Sequence, residues 1–246
     1  MYFYLFDSFL QESKYRHDLQ KIEARLATLG IQGRQEKLTI LKNPLEATEQ
    51  AIKRGAKTVV AVGNDKTMTR VLPVMLEHGV TLGCIPLGQP QAISEFLGIP
   101  AGPEACDILS RRVVQRLDVG QADGHFFMLE ATVPAAARVT CDSQYTVETT
   151  DPTARMSISN LRPMTNRVHP SDGRLELVVN APAERSMFGR RRGSPLSVFP
   201  IRRAKIQPAS GENTLVLDGQ AIVKGTVAVQ VASKKLSVIV GPGRAF

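Results

Sequence analysis

Cysteine is scarce in this chain of 246 residues, and Cys84, Cys106 and Cys141 form an odd set without CxxC or Cys/His spacing. That excludes a disulfide framework and a structural zinc site, and it fits a reducing cytoplasm. No apolar stretch reaches the ~20 residues of a membrane-spanning helix. The opening MYFYLFDSFLQ is broken by Asp7 and has no basic leader, so it does not read as a signal peptide. The expectation is a soluble cytoplasmic protein, at most peripheral to the inner face of a membrane. His17, His78, His125 and His169 lack the mutual spacing of metal ligands, and neither an internal repeat nor a low-complexity tract occurs.

What is present begins with charge. Lys and Arg number 31 against 23 Asp and Glu, a net +8. Such a balance favours anionic partners, whether phosphorylated metabolites, nucleic acid or acidic lipid. Divided after Leu117, the two halves carry +3 and +5, so the excess is not a basic tail. At 43% hydrophobic and 22% charged residues the composition is globular, which excludes disorder, collagen and coiled coil for the whole chain. Basic and aromatic residues do not interleave as a stacking platform, so nucleic acid is the weakest of the anionic candidates.

Through residue 117 short apolar runs alternate with stripes of helical period, the pattern of a parallel sheet with crossover helices. Strands are expected at 2–6, 38–41, 58–62 and 82–87, with 113–118 leading out. Leu19, Ile22, Leu26 and Leu29 make one helical stripe, stopped by Gly30. Asn43 and Pro44 read as the cap and first residue of a second helix, with Glu46 in the capping-box position. A third stripe runs from Met68 to Leu76, and Pro73 within it predicts a kink or an early end. Short helices follow at 92–97 and 103–110. From residue 118 to 246 the helical period gives way to β-branched runs, among them 126–133, 201–206 and 236–240, punctuated by Asp123-Gly124, Asp172-Gly173 and Asp218-Gly219. The expected organisation is an α/β domain over 1–117 and an all-β sandwich over 118–246.

In an open α/β sheet, ligands sit beyond the carboxyl ends of the strands, where helix N-termini face anions. Two loops fit that position: VVAVGNDKT, residues 59–67, and LGCIPLGQP, residues 82–90. Neither is a Rossmann GxGxxG or a P-loop GxxxxGK[ST]. By spacing alone Asp65 reads either as a helix cap or as a phosphate or metal ligand.

These loops resemble the catalytic domain of diacylglycerol kinases, sphingosine kinases and bacterial lipid kinases. That family carries VVAVGGDGT, which residues 59–67 match in all but two positions, and LGIIPLGTGNDFARxLGIP, matched at Leu82, Gly83, Ile85, Pro86, Leu87, Gly88 and the closing Leu97-Gly98-Ile99-Pro100. The likeness continues through Leu117-Asp118-Val119-Gly120 and Gly124-His125-Phe126-Phe127, and returns at residues 170–177 and 217–220. The resemblance implies a fold like that of NAD kinases and diacylglycerol kinases, ATP with Mg2+ as cofactors, and phosphoryl transfer to a lipid hydroxyl in a cleft between the domains. It assigns nucleotide binding to Gly63, Asn64, Asp65, Lys66, Thr67 and Gly88, metal to Asp65 and Asp172, and the general base to Asp218.

The departures point the other way. Asn64 and Lys66 replace glycines, and side chains there hinder backbone approach to phosphate. Gln89-Pro90-Gln91-Ala92 stands where the family has Thr-Gly-Asn-Asp, and Asp7-Ser8-Phe9-Leu10 follows the first strand in place of its NPxSG loop. Phosphoryl transfer depends on positioning and charge neutralisation, so the expectation is weakened or lost transfer, with an inactive lipid- or nucleotide-binding pseudokinase as the alternative. Lys66 reads either as a compensating charge or as an obstruction.

Asp218-Gly219 reads equally as a hairpin turn, and Asp172-Gly173 as a plain β-turn. Met187 and Phe188 beside Arg190, Arg191 and Arg192 form an apolar tip with a cationic collar, suited to an anionic membrane; a solvated basic loop is the alternative. A homodimer is left open.

Overall fold

The apolar runs at 2–6, 58–62 and 82–87 are too short for helices and lack polar alternation, as strands buried on both faces do. In the computed structural model, which describes all residues except 40, 135–136, 150–152, 162–168, 181–195 and 209–213, they become β1 (Tyr2–Phe6), β3 (Thr58–Gly63) and β4 (Thr81–Pro86). Among them run α1 (Arg16–Thr28), β2 (Arg34–Lys37), α2 (Pro44–Lys53) and α3 (Asp65–His78), followed by α4 (Ala92–Phe96), α5 (Ala105–Arg111) and β5 (Val114–Leu117). The sheet order is β2-β1-β3-β4-β18-β5, where β18 is Leu236–Ile239 near the chain end. Pairings of β1 with β2 and β3, of β3 with β4, and of β4 with β18 are parallel, while β5 runs antiparallel to β18.

The chain thus divides into Met1–Leu117 with Lys234–Phe246 as one unit and Asp118–Ser233 as the other. The expected second domain therefore stops short of the C-terminus, because the apolar run at 236–240 fills the gap between β4 and β5 instead of joining the sandwich. The first expected edge strand also moves: β2 lies at Arg34–Lys37, ahead of 38–41, and its mostly exposed residues carry no hydrophobic pattern to announce it. Pro73 neither ends nor breaks α3, which continues to His78 and closes on Gly79 at φ 64°. The proline ring faces solvent while Leu72, Val74, Met75 and Leu76 are buried around it, and that burial outweighs the missing amide hydrogen bond.

The second unit comprises β6 (Gly120–Ala122), β7 (His125–Phe127), β8 (Glu130–Val133), β9 (Ala137–Cys141), β10 (Tyr145–Val147), β11 (Arg155–Ser159), β12 (Leu175–Asn180), β13 (Leu196–Ile201), β14 (Arg203–Pro208), β15 (Thr214–Leu217), β16 (Ala221–Lys224) and β17 (Val227–Val231). They form two antiparallel sheets of six, β10-β9-β14-β17-β6-β7 and β13-β12-β11-β8-β15-β16. Alternate residues such as Val139, Ile206 and Val229 in one sheet and Ile158, Leu177 and Leu217 in the other share a single buried core. The run at 201–206 is two strands, split at Arg202. Among the described residues no helix is long and apolar enough to cross a membrane.

Candidate functional site

In the order β2-β1-β3, strands continue in opposite directions from β1, so the carboxyl ends of β1 and β3 form the switch point at which open sheets bind ligands. Asp7 follows β1 there, and Asn64 to Thr67 follow β3. The local sequence makes this crevice a self-satisfied network. Asn64 caps α3, its Oδ1 accepting the Lys66 amide at 3.0 Å, while its Nδ2 donates to the Gln89 carbonyl at 2.7 Å. The Asn64 amide donates to Thr67 Oγ1 at 3.1 Å, and the Thr67 hydroxyl donates to Asp7 Oδ2 at 2.7 Å. Asp65 N–H donates to the Pro90 carbonyl at 2.9 Å, and the Thr67 and Met68 amides donate to the Asn64 carbonyl at 3.0 and 3.4 Å. Every amide from residue 64 to 68 therefore has an acceptor inside the protein. An anion at a helix N-terminus needs unclaimed amides, and these are claimed.

Gly63 leaves room for this arrangement, since a Cβ there would lie 2.2 Å from Thr67 Oγ1. Gly88, at φ 72°, brings the second loop against the Phe9 ring, 2.9 Å from where its Cβ would stand. Lys66 is exposed. Asp65 is buried, with Oδ1 accepting the Ile93 amide at 3.1 Å at the start of α4. It is a helix cap, but of α4; α3 is capped by Asn64. Its Oδ2 is buried without a hydrogen-bond partner among the described residues. Burial pushes the Asp65 carboxyl above the usual range, and the amides of Ile93 and Ala92 oppose that shift.

Sequence reasoning did not single out Asp7, Thr39, Lys42 or Arg70. Asp7 is buried, accepts hydroxyls from Thr67 and Ser8, and has Arg70 Nη1 3.7 Å from Oδ2. Beside it a cavity of about 460 Å³ is lined by Ser8, Thr39, Lys42, Asn43 and Arg70 among others. Lys42 is paired with Glu36. The available signal was positional: these residues follow β1 and β2 or sit one turn into α3, where switch-point ligands are expected.

In the second unit Asp218 has φ 48° and starts a three-residue connection between β15 and β16. Its Oδ2 accepts the Met128 amide at 2.7 Å, and Oδ1 accepts those of Leu129 and Glu130 at 2.8 and 3.0 Å. Asn160 holds the same stretch from another side, donating from Nδ2 to the Met128 carbonyl at 2.9 Å. Asp218 is thus neither a bare turn residue nor a carboxylate facing open solvent: it ties the turn to the entrance of β8. Asp172 accepts the Arg174 and His169 amides of its own turn at 3.0 and 3.2 Å. Each oxygen thus accepts one amide of the turn, the arrangement of the β-turn reading.

Among the described residues no group of three or more His, Cys, Asp or Glu is arranged for a metal ion. With Asp65 turned to the amides of α4, the residues assigned to ATP phosphate and Mg2+ do not fit those groups as they stand. Met187, Phe188, Arg190, Arg191 and Arg192 lie outside the described residues.

Comparison with known proteins fits this scaffold. The Diacylglycerol kinase catalytic domain family matches residues 6–122. An uncharacterized protein of Synechocystis is 35% identical over 80 residues, 32% of this chain and 18% of that protein. The diacylglycerol kinase of Bacillus subtilis is 25% identical over 118 residues, 46% of this chain and 39% of the enzyme. A probable lipid kinase YegS-like protein of Pseudomonas aeruginosa is 29% identical over 97 residues, 39% of this chain and 32% of the relative. The matched segments therefore span well under half of these relatives. A diacylglycerol kinase structure from Bacillus anthracis has TM-score 0.78 at 16% identity, covering 99% of this chain and 98% of that one. An NAD kinase from Archaeoglobus fulgidus in complex with ATP has TM-score 0.61 at 15% identity, covering 99% and 95%. Residues 6–122 are thus similar in sequence to the diacylglycerol kinase catalytic domain, and the whole chain has the fold of the solved diacylglycerol kinases.

Proposed function

We propose that this protein is a diacylglycerol kinase-like pseudokinase: it keeps the fold and a lipid hydroxyl compound as ligand, and has lost ATP-dependent phosphoryl transfer. The observation that carries this reading is the closed loop pair, in which Asn64 caps α3 with one end of its amide and ties down Gln89 with the other. Phosphoryl transfer needs donors aimed at the phosphates throughout the reaction, and their loss reduces the rate by orders of magnitude. The buried Asp7 carboxylate at the same crevice opposes a second anion. Incubation with γ-labelled ATP, Mg2+ and diacylglycerol, a sphingoid base or phosphatidylglycerol is expected to give no labelled lipid. Labelled lipid above a heat-inactivated control would contradict the reading.

A second reading rests on the cavity of about 460 Å³, whose Arg70 and Lys42 could take a nucleotide phosphate away from the β3–α3 loop. In that case wild-type transfer is measurable and Arg70→Ala abolishes it.

A further inference from the structure

On the face of the β13-β12-β11-β8-β15-β16 sheet turned away from the core, a pocket of about 310 Å³ is lined by Glu130, Thr132, Arg155, Ser157, Asn180 and Leu196 among others. The strand register assembles it. Ser157 stands opposite Thr132 on one side and Val178 on the other, and Arg155 stands opposite Asn180, which faces Leu196. Residues that alternate with the core positions Met156 and Ile158 must point outward, so a period of two brings these polar side chains to one face. Glu130, Thr132, Arg155, Ser157 and Asn180 make no side-chain hydrogen bond or ion pair with any described residue. A polar set that converges on a concavity while leaving its own donors and acceptors unclaimed is what a ligand site requires.

The chemistry of the set selects the ligand. Among the described lining residues one carboxylate and one guanidinium balance, which disfavours an isolated phosphate or cation. Two hydroxyls, an amide, an acceptor in Glu130 and a donor in Arg155 match a molecule whose every edge both donates and accepts. Val178 and Leu196 offer apolar contact to its C–H face. We infer that this pocket binds a neutral polyhydroxyl group of glycerol or monosaccharide size, free or as the head of a lipid.

The test is two-dimensional amide NMR of the full chain with glucose, glycerol and dihexanoylglycerol as probes at up to tens of millimolar. Saturable shifts confined to β8, β11 and β12 are expected. Soluble glucose or glycerol producing them identifies a free polyol, whereas dihexanoylglycerol alone producing them identifies a lipid head. Thr132→Val with Ser157→Val keeps strand-forming side chains on an outward face and should weaken binding at least tenfold. No saturable shift with any probe, shifts elsewhere in the chain, or unchanged affinity in the double variant would overturn the inference. Should the double variant fold poorly, Glu130→Gln in its place should weaken binding several-fold, and unchanged affinity there would likewise overturn it.

Discussion

Asp218 shows how one residue can satisfy a motif and still act through the backbone. Its carboxylate accepts three consecutive amides, at Met128, Leu129 and Glu130. Asparagine would keep the turn, since Asn-Gly and Asp-Gly form the same one, but its NH2 would face an amide donor where an oxygen now accepts. Asp218→Asn should therefore lower stability by about 1–3 kcal/mol, read as a fall in the urea midpoint; an unchanged midpoint would mean the carboxylate is not the tether. Asp65 gives a pH signature. Because burial raises its folded-state pKa above the unfolded value, its contribution to stability is fully present below the ordinary carboxylate range near pH ~4 and is lost as pH rises through the folded value. Asp65→Asn removes that titration, so urea unfolding should find it costing more stability at pH 4 than at pH 7. A cost independent of pH would refute the assignment.

At the scale of elements, helix α3 tests how burial and backbone chemistry compete. Pro73 lies within it, exposed, between buried neighbours. Pro73→Ala restores an amide donor without touching the core, and circular dichroism melts should show stabilisation of about 1–3 kcal/mol. A lower melting temperature would mean that the ring packs usefully. The central strands and this helix were legible because their apolar periods are strong. β2 was not, since a polar edge strand has no period, and β18 was misplaced because a β-branched run carries no label of the sheet it joins. In the candidate site the loop positions were legible from glycine and family pattern. The partner of each side chain was not: that Asn64 reaches Gln89 and Asp65 reaches Ile93 depends on two loops 25 to 28 residues apart meeting in space.

At the scale of the molecule, the fold of the solved diacylglycerol kinases is kept, and under the proposed function the switch-point crevice is closed to phosphate by the chain's own polar groups. Asn64 and Asp7 are the residues that close it, and both are connected to Thr67, Asn64 through its backbone amide and Asp7 through its carboxylate. Calorimetric titration of ATP with Mg2+ into wild type and into the Asn64→Gly, Lys66→Gly double variant tests this closure. The double variant frees the Lys66-position amide and the Gln89 carbonyl and removes both side chains from the start of α3. A closed crevice gives no measurable binding by wild type and at least tenfold tighter binding by the variant. Tight binding by wild type that the double substitution leaves unchanged would contradict it.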